Sequence, residues 1–272
     1  MLTFLFWNLN RKDLTVSIDS LVNIHNIDIL ILAECEISPA NLLRVLNPSD
    51  REAQFHYSRG ECEKIQIFTR FPDTFSRPIF ESSRFTMRCL TLPGFDEILL
   101  VAAHLLSLTN ADQKTLDAEA LEFAREIRRI ETERGHSRTI LVGDLNMNPF
   151  ADGMVAASGL HGVMTKEIAK RETRTIQTRG YPFFYNPMWR HFGDRPDKPP
   201  GSYYYRGADH VCYFWNIFDQ VLIRPALLDY WDDEDLQILV HDGVSSLLVG
   251  RVDAPNKKQF SDHLPILFCL NF

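Results

Sequence analysis

The chain has 272 residues, and its content of 45 % hydrophobic and 24 % charged residues is that of a globular protein, which excludes a disordered chain. Its 36 acidic residues exceed its 29 basic ones, so the formal net charge is −7, which argues against nucleic-acid binding through a general positive field. Five scattered cysteines without a C-x-x-C pair argue against a zinc site or a disulfide framework. No apolar run approaches the length of a membrane helix, and we expect a soluble, cytoplasmic protein.

Short apolar strands alternate with amphipathic helices in the first part of the chain. A strand over residues 3–9 is rich in aromatic and branched side chains, and a continuous apolar run over 28–33 is typical of a strand buried on both faces. Between them, apolar residues at helical spacing predict a helix over 13–26. A second helix is expected to begin after Ser38, which can cap it, with Pro39 in its first turn.

A region of β structure follows in the middle of the chain. Alternating apolar residues predict a strand over 65–70, and Pro72 and Pro78 are expected to break the chain after it. Strands over 85–92 and 97–103 flank a Pro-Gly pair that is typical of a turn, so these two strands are expected to form a hairpin.

The clearest helical pattern covers residues 111–134, where apolar side chains recur on one face and charged pairs on the other. Gly135 is expected to end this helix. Further strands are predicted over 138–143, 217–223 and 265–272.

Residues 159–215 differ in composition from the rest of the chain. They are rich in aromatic residues, arginine, glycine and proline, and the prolines forbid long regular elements. A loop region of this length inside a compact domain is usually functional. Because no repeat, low-complexity tract or linker divides the chain, we expect a single domain over residues 1–272 that carries 159–215 as an insert beside its active site.

Polar residues stand at or just past the ends of the predicted buried strands, where an unpaired polar group costs free energy. In layered α/β architectures such strand ends commonly meet at one rim, where ligands bind. The residues in these positions are Asn8, Asn10, Glu34, His104, Asp144, Asn146, Asp219, Asp262 and His263.

These side chains favour metal-assisted chemistry on phosphate esters. Glu34 and Asp262, with Asn10, supply hard oxygen ligands that suit Mg²⁺ or Mn²⁺. The histidines and the other carboxylates are suited to acid–base work. A cation held by oxygen atoms with open positions can neutralise the charge that develops on a phosphoryl group.

Six motifs follow one another from residue 6 to residue 265, namely W-N-x-N, x-x-E, H-x-x-S, G-D-x-N, D-x-x-L and S-D-H-x-P. With these motifs in this order, the chain resembles the endonuclease/exonuclease/phosphatase superfamily, whose members have a deoxyribonuclease-I-like fold. The resemblance implies an α+β fold, a four-layer α/β/β/α sandwich of two mixed, mostly antiparallel sheets. It also implies a Mg²⁺- or Mn²⁺-dependent phosphoesterase that hydrolyses phosphodiester bonds.

The resemblance further implies where the metal binds. Glu34 is the expected principal ligand, with Asn10 and Asp262 nearby, and Asn8 is expected to position water or phosphate. Relatives often have Asp where this chain has Asn10. The amide removes a negative charge from the metal site, which favours a single ion.

The remaining expected roles concern proton transfer and the phosphate group. Asp144 is expected to orient or deprotonate the attacking water, and Asn146 to donate to a phosphate oxygen. Asp219 is expected to hold His263 and stabilise its imidazolium form. His104 is expected to bind the phosphate and to stabilise the transition state or protonate the leaving oxygen.

Each motif also has a plain structural interpretation when it is taken alone. Asn8 can satisfy backbone groups at a strand end, Asp144 and Asn146 can form a turn, and His263 can be an ordinary half-buried histidine. Glu34 at the end of an apolar strand is the hardest to explain in this way. The occurrence of all six motifs in one order favours the functional interpretation.

Three functions remain open from the sequence. The first is a nuclease acting on DNA or RNA, which the insert's arginines and aromatic residues favour. The second is a phosphatase or phosphodiesterase acting on a small molecule, nucleotide or lipid, which the acidic composition also allows. The third is a catalytically inactive binding scaffold, which the complete set of motifs disfavours.

Two features of the insert also remain open. Its aromatic residues can be ordinary packing, a stacking platform for bases or a lid over a substrate, and they include Trp189, Tyr203, Tyr204 and Tyr205. Its arginines give the insert a local positive charge, and two or three of them can contact phosphate. They are Arg171, Arg174, Arg179, Arg190, Arg195 and Arg206.

Overall fold

The fold was analysed in a computed structural model, which describes residues 1–49, 54–107, 112–194, 198–208, 210–250 and 252–272. The strands are β1 (Leu2–Asn8), β2 (Ile29–Ala33), β3 (His56–Tyr57), β4 (Ile65–Thr69), β5 (Ser76–Glu81), β6 (Phe85–Leu90), β7 (Ile98–His104), β8 (Thr139–Asp144), β9 (Gly162–Val163), β10 (Thr173–Ile176), β11 (Arg179–Pro182), β12 (Phe184–Tyr185), β13 (Tyr203–Tyr204), β14 (Trp215–Asn216), β15 (Asp219–Ile223), β16 (Gln237–Ile238), β17 (Leu248–Val249), β18 (Ala254–Pro255) and β19 (Ile266–Leu270). The helices are α1 (Thr15–Ile24), α2 (Pro39–Leu46), α3 (Gln113–Arg134), α4 (Asp152–Val155) and α5 (Lys166–Ala169). Shorter 3₁₀ helices cover Asp73–Phe75, Pro187–His191, Pro225–Tyr230 and Asp233–Asp235.

Two large mixed sheets form the centre of the fold. A six-stranded sheet has the order β16-β19-β1-β2-β4-β3, and a seven-stranded sheet has the order β5-β6-β7-β8-β15-β12-β9. In the first sheet only β1 and β2 run parallel, whereas in the second β7 and β8, and β12 and β9, do so. The remaining pairs are antiparallel, which is the mixed, mostly antiparallel arrangement that the family resemblance implies.

The pattern of burial along β7 shows how the layers stack. Because successive residues in a strand point to opposite faces, Leu100 and Ala102 join the larger apolar cluster, to which both sheets contribute. Leu99 and Val101 point the other way and pack in a second cluster with Phe123 of α3. The seven-stranded sheet is therefore covered on both faces, and the expected α+β sandwich is confirmed.

Helix α3 begins and ends at residues suited to those positions. The Asp112 side chain accepts a hydrogen bond from the backbone N of Thr115 at 2.9 Å, and Gly135 adopts the left-handed conformation with φ 71°. The predicted end at Gly135 is confirmed, while Ala111, the predicted first residue, lies outside the described residues.

Within the described residues, no helix combines the length and the apolar character that a membrane-spanning helix requires.

Pro78 does not end the β structure in the middle of the chain, and this prediction is wrong. Pro78 lies inside β5, which is an edge strand of the seven-stranded sheet. An edge strand tolerates proline because one row of its N–H groups faces no partner. The register between β5 and β6 shifts between Pro78 and Phe80, so a bulge accommodates the residue.

A buried ion pair connects α3 to the insert. Arg224, which is 2 % exposed, donates from Nε and Nη2 to the two carboxylate oxygens of Glu131, at 2.8 and 3.0 Å. Its Nη1 donates to the carbonyl oxygens of Pro182 and Phe183, and its guanidinium lies 3.7 Å from the ring centroid of Phe184. The arginine thus holds the segment that carries β11 and β12 against the sheet.

We expect Arg224→Ala to lower the free energy of unfolding by about 3–5 kcal/mol, because it leaves the Glu131 carboxylate buried without its partner. Chemical denaturation measures this change. Arg125→Ala on the same helix is the matched control, since Arg125 and Glu122 form an exposed pair that contributes about 0–1 kcal/mol. Equal destabilisation by the two variants would contradict the assigned role of Arg224.

Candidate active site

Strand register brings the predicted polar residues to one rim of the two sheets. In the seven-stranded sheet, His104 at the end of β7 is paired with Asp144 at the end of β8, and Asp144 is paired with Asp219 at the start of β15. In the six-stranded sheet, Asn8 at the end of β1 is paired with Ala33, immediately before Glu34. The two rims meet, because Asn8 Nδ2 donates to Asp144 Oδ2 at 2.9 Å.

Steric constraints explain why the G-D-x-N motif begins with glycine. A Cβ atom on Gly143 would lie 2.0 Å from the carbonyl oxygen of Ala103 on the neighbouring strand. Only glycine therefore allows β7 and β8 to approach closely enough to set His104 beside Asp144.

Asp144 lies at the centre of the site. Its side chain is only 2 % exposed. Besides the amide of Asn8, it accepts a hydrogen bond from the backbone N of Asn146 at 3.0 Å on Oδ1. Its Oδ2 lies 3.7 Å from His104 Nε2 and 3.8 Å from His263 Nε2. One carboxylate thus faces two imidazole rings and one amide.

His263 is held in position from several directions. Its Nδ1 donates to Oδ2 of the fully buried Asp219 at 2.8 Å. Its backbone N donates to Ser261 Oγ at 3.1 Å, and its carbonyl oxygen accepts from Trp7 Nε1 at 2.9 Å. The Tyr203 ring packs against the imidazole with centroids 4.7 Å apart. The ring is therefore fixed with Nε2 facing Asp144.

The surrounding carboxylates keep His263 protonated. Burial by itself would lower the pKa of His263, but the charges of Asp219, Asp144 and Asp262 outweigh it and raise the pKa to about 10. Burial raises the pKa of Asp219, and the contact with His263 opposes that shift. Burial, with the charges of Asp262 and Asp144, also raises the pKa of Tyr203 to about 12. His263 is thus a cation at neutral pH, and its Nε2 is a hydrogen-bond donor.

Glu34 enters the site from a turn at the end of β2. Its backbone adopts a left-handed conformation with φ 46°, which is uncommon for a residue with a side chain. Its carboxylate is 22 % exposed, with Oε1 3.4 Å from His104 Nε2 and Oε2 3.6 Å from Arg11 Nε. Nδ1 of His104 is buried and has no hydrogen-bond partner among the residues that the structure describes.

Asn10 and Asn146 occupy similar turns. Both have positive φ, 46° and 51° respectively, a conformation that asparagine tolerates better than most residues. Asn10 donates its backbone N to Asn8 Oδ1 at 2.9 Å, which fixes the Asn8 side chain. Asn146 Nδ2 donates to the carbonyl oxygen of Leu105 at 3.1 Å, and the second hydrogen of that amide remains for a ligand.

Asp262 has the feature expected of a metal ligand. Its Oδ1 is buried, yet it has no hydrogen-bond partner within the described ranges. A buried carboxylate oxygen without a partner is costly, and a divalent cation would satisfy it. The Glu34 carboxylate contacts the His104 ring, and the charge of Asp262 acts on the adjacent His263. Both carboxylates therefore lie beside the two imidazoles that face Asp144. Their all-oxygen donor set fits Mg²⁺ or Mn²⁺.

A second possible metal group consists of Asp144, Asp219 and His263, which each offer a ligand atom within 4.8 Å of the others. However, Oδ2 of the fully buried Asp219 is already hydrogen-bonded to His263 Nδ1, and Oδ2 of Asp144 is already hydrogen-bonded to the amide of Asn8. This group is better suited to acid–base chemistry.

Several residues that orient the site were not identified as such from the sequence. Ser202 Oγ accepts a hydrogen bond from the backbone N of Asp219 at 3.2 Å. Ser261 Oγ donates to the carbonyl oxygen of Asn8 at 2.6 Å, which joins the S-D-H motif to β1. The serine of the S-D-H motif can be identified in the sequence, but its partner Asn8 is 253 residues away. Sequence spacing gives no signal for a contact between residues so far apart.

The comparisons with known proteins agree with this architecture. Neither the protein-family models nor the curated proteins match the chain. Among solved structures, the chain is similar to an endonuclease/exonuclease/phosphatase family protein from Leptotrichia buccalis, with TM-score 0.53, 14 % identity and full coverage of both chains. It is also similar to an AP endonuclease from Archaeoglobus fulgidus, with TM-score 0.55, 12 % identity and full coverage of both chains. A third is D. rerio TDP2 complexed with single-strand DNA product, with TM-score 0.54, 15 % identity and coverage of 100 % and 99 %.

At these identities the similarity concerns the fold. The chain therefore has the fold of the endonuclease/exonuclease/phosphatase proteins, as the order of its motifs implies.

Proposed function

We propose that this protein is a divalent-metal-dependent phosphoesterase that hydrolyses phosphodiester bonds in DNA or RNA. The observation that carries the proposal is the position of Asp144, whose carboxylate contacts Asn8 and faces His104 and His263 at one rim. These residues come from widely separated parts of the chain. A purely structural role for a buried carboxylate does not require two imidazoles beside it.

Each residue of the site has a task in this proposal. Asp144 Oδ2 accepts the proton of the attacking water, because it is a buried acceptor in reach of both rings. His263, kept cationic by Asp219, donates from Nε2 to a phosphoryl oxygen. Asn8 and Asn146 position the phosphate through their amides, and His104 stabilises the transition state or protonates the leaving oxygen.

Glu34, Asn10 and Asp262 would hold one Mg²⁺ or Mn²⁺ ion, which would neutralise charge on the phosphoryl group. The buried Oδ1 of Asp262, which has no hydrogen-bond partner among the described residues, supports this assignment. The amide at Asn10 contributes no charge, and this supports a single ion.

The structural neighbours support nucleic acid as the substrate. One is named as an AP endonuclease, and another was solved with a single-strand DNA product.

We also propose a cytoplasmic location for the protein. The five free cysteines support this location, because disulfides are rare in the reducing cytosol.

A small phosphoester is the second candidate substrate, and the net charge of −7 supports it because such a molecule needs no extended basic surface. A panel of single-stranded and duplex DNA, RNA, nucleotides and phosphoinositides with Mg²⁺ or Mn²⁺ separates the two. Cleavage of a polynucleotide that is lost in Asp144→Asn supports the nuclease. Turnover of small substrates alone would favour the second candidate, and turnover of none would contradict the enzyme proposal.

We expect Glu34→Gln to weaken Mn²⁺ binding at least tenfold, because it removes the charge of the main oxygen ligand. Isothermal titration calorimetry measures this affinity directly. Glu36→Gln is the matched control, since Glu36 lies two residues away with a side chain that is 70 % exposed. An unchanged affinity in Glu34→Gln would show that the ligand assignment is wrong.

A further inference from the structure

A pocket of about 650 Å³ lies at the outer edge of the seven-stranded sheet, beside the edge strand β9. Four of the apolar side chains that line it remain exposed, namely Phe150 (38 %), Val155 (39 %), Met164 (55 %) and Ile168 (37 %). Adjacent exposed apolar side chains in a concave site of this size are typical of a ligand-binding surface.

One wall of this pocket is basic. Arg171 and Arg174 line it, and both side chains are exposed. Residues 170–180, which include most of the β10–β11 hairpin, contain four basic residues and one acidic residue, in a chain whose net charge is −7. In the part of the chain that the structure describes, neither arginine forms an ion pair with a carboxylate. Two exposed arginines beside an apolar pocket are complementary to a ligand that carries both a phosphate and an aromatic ring.

Aromatic contacts connect the pocket with the loop between β13 and β14, and β13 itself contacts the candidate active site. Phe150, which lines the pocket, contacts Trp189 and Tyr213 with ring centroids 6.4 and 5.2 Å apart. Tyr213 lies in the loop between β13 and β14, and Tyr203 of β13 packs on His263. Phe150 also follows Asp144 by only six residues, so the two lie within about 20 Å of each other.

We propose that this pocket binds a second nucleotide of the substrate strand, which lies up to about 20 Å along the strand from the phosphate that is cleaved. The base packs against Phe150 and Trp189, and its phosphate contacts Arg171 and Arg174. This inference rests on the proposed nuclease function and specifies its substrate as single-stranded. A base in a duplex is paired and stacked on its neighbours, so its face is not free to enter an apolar pocket.

The first test measures binding without turnover. Fluorescence anisotropy of a labelled 12-nucleotide single strand, with EDTA present, gives Kd and its dependence on salt. Arg171→Gln with Arg174→Gln is expected to weaken binding at least tenfold and to reduce the slope of log K against log salt by about 1.4, as expected for two phosphate contacts on a single strand. Arg44→Gln with Arg77→Gln is the matched control, because these exposed arginines lie on α2 and on the opposite edge strand β5.

A second variant tests the apolar part of the site. Met164→Glu places a negative charge in the pocket at a position that is 55 % exposed, so the change is compatible with folding. We expect it to weaken oligonucleotide binding at least fivefold. Val16→Glu introduces the same charge on α1, at a position that is 80 % exposed, and is expected to leave binding unchanged.

Turnover separates this inference from the proposed function. In the double arginine variant, kcat/KM for the 12-nucleotide strand is expected to fall because KM rises. This fall should be at least tenfold larger than the fall in kcat/KM for a dinucleotide, which is too short to reach the pocket. If wild-type protein cleaves the long strand and the variant binds and cleaves it equally well, the pocket assignment is overturned and the nuclease proposal stands. Equal or tighter binding of a duplex of the same sequence also overturns the assignment. If wild-type protein cleaves no polynucleotide, the proposed function fails first.

Discussion

Replacing Asp144 with asparagine is expected to lower kcat by about 10³- to 10⁴-fold. The substitution keeps the size of the side chain, but it removes the carboxylate that faces both imidazoles and accepts the proton of water. A steady-state assay with the substrate that the panel identifies measures the loss, and circular dichroism confirms that the variant is folded.

The matched control is Asp152→Asn, because Asp152 is an exposed carboxylate eight residues further along the chain, at the start of α4. It is expected to retain wild-type activity. If Asp144→Asn kept more than about a tenth of the wild-type kcat, Asp144 would not be the general base.

Asp219 and His263 are expected to act as one unit. Asp219→Asn and His263→Gln should each lower kcat by about 10³-fold or more, and the double variant should lose little beyond either single one. The physical reason is that Asp219 acts only through the ring that it holds at 2.8 Å. A multiplicative loss in the double variant would show that the two residues act independently.

The pH dependence gives a separate measurement of the same pair. The pKa of His263 lies above its ordinary value of 6.5, at about 10. Protonation of His263 therefore adds to the free energy of unfolding, and this contribution is fully present below pH 6.5. That contribution is lost as the pH rises through about 10. In Asp219→Asn, the loss of a carboxylate moves the pKa down, so kcat/KM should fall at a lower pH than in the wild type. A pH–rate profile that is identical in the two proteins would contradict this coupling.

The sequence predicts the identity of the site residues better than the contacts between them. Asn8 and Asp144 each stand at the end of an apolar strand, and both could be selected for that reason. Their hydrogen bond joins different sheets across 136 residues, and only the packing of the two sheets determines it. The same holds for Ser202 and Tyr203, which belong to an insert without a periodic pattern yet contact Asp219 and His263.

Some features of the local structure could likewise be predicted from the sequence, and others could not. The C-terminal end of α3 could be predicted, because this kind of capping depends on a residue adjacent in sequence, Gly135. The position of Pro78 could not, since whether a proline is tolerated depends on whether its strand lies at the edge of a sheet. The left-handed backbone at Glu34 was also not predicted, because glutamate carries no local signal for that conformation.

We propose that acids, amides and imidazoles from distant segments of the chain form one cation-binding site for a phosphate group. Anomalous scattering from a crystal soaked in Mn²⁺ tests it most directly. We predict a single strong peak in contact with the carboxylates of Glu34 and Asp262. A peak between Asp219 and His263 instead, or no ordered Mn²⁺ at this rim, would contradict the account.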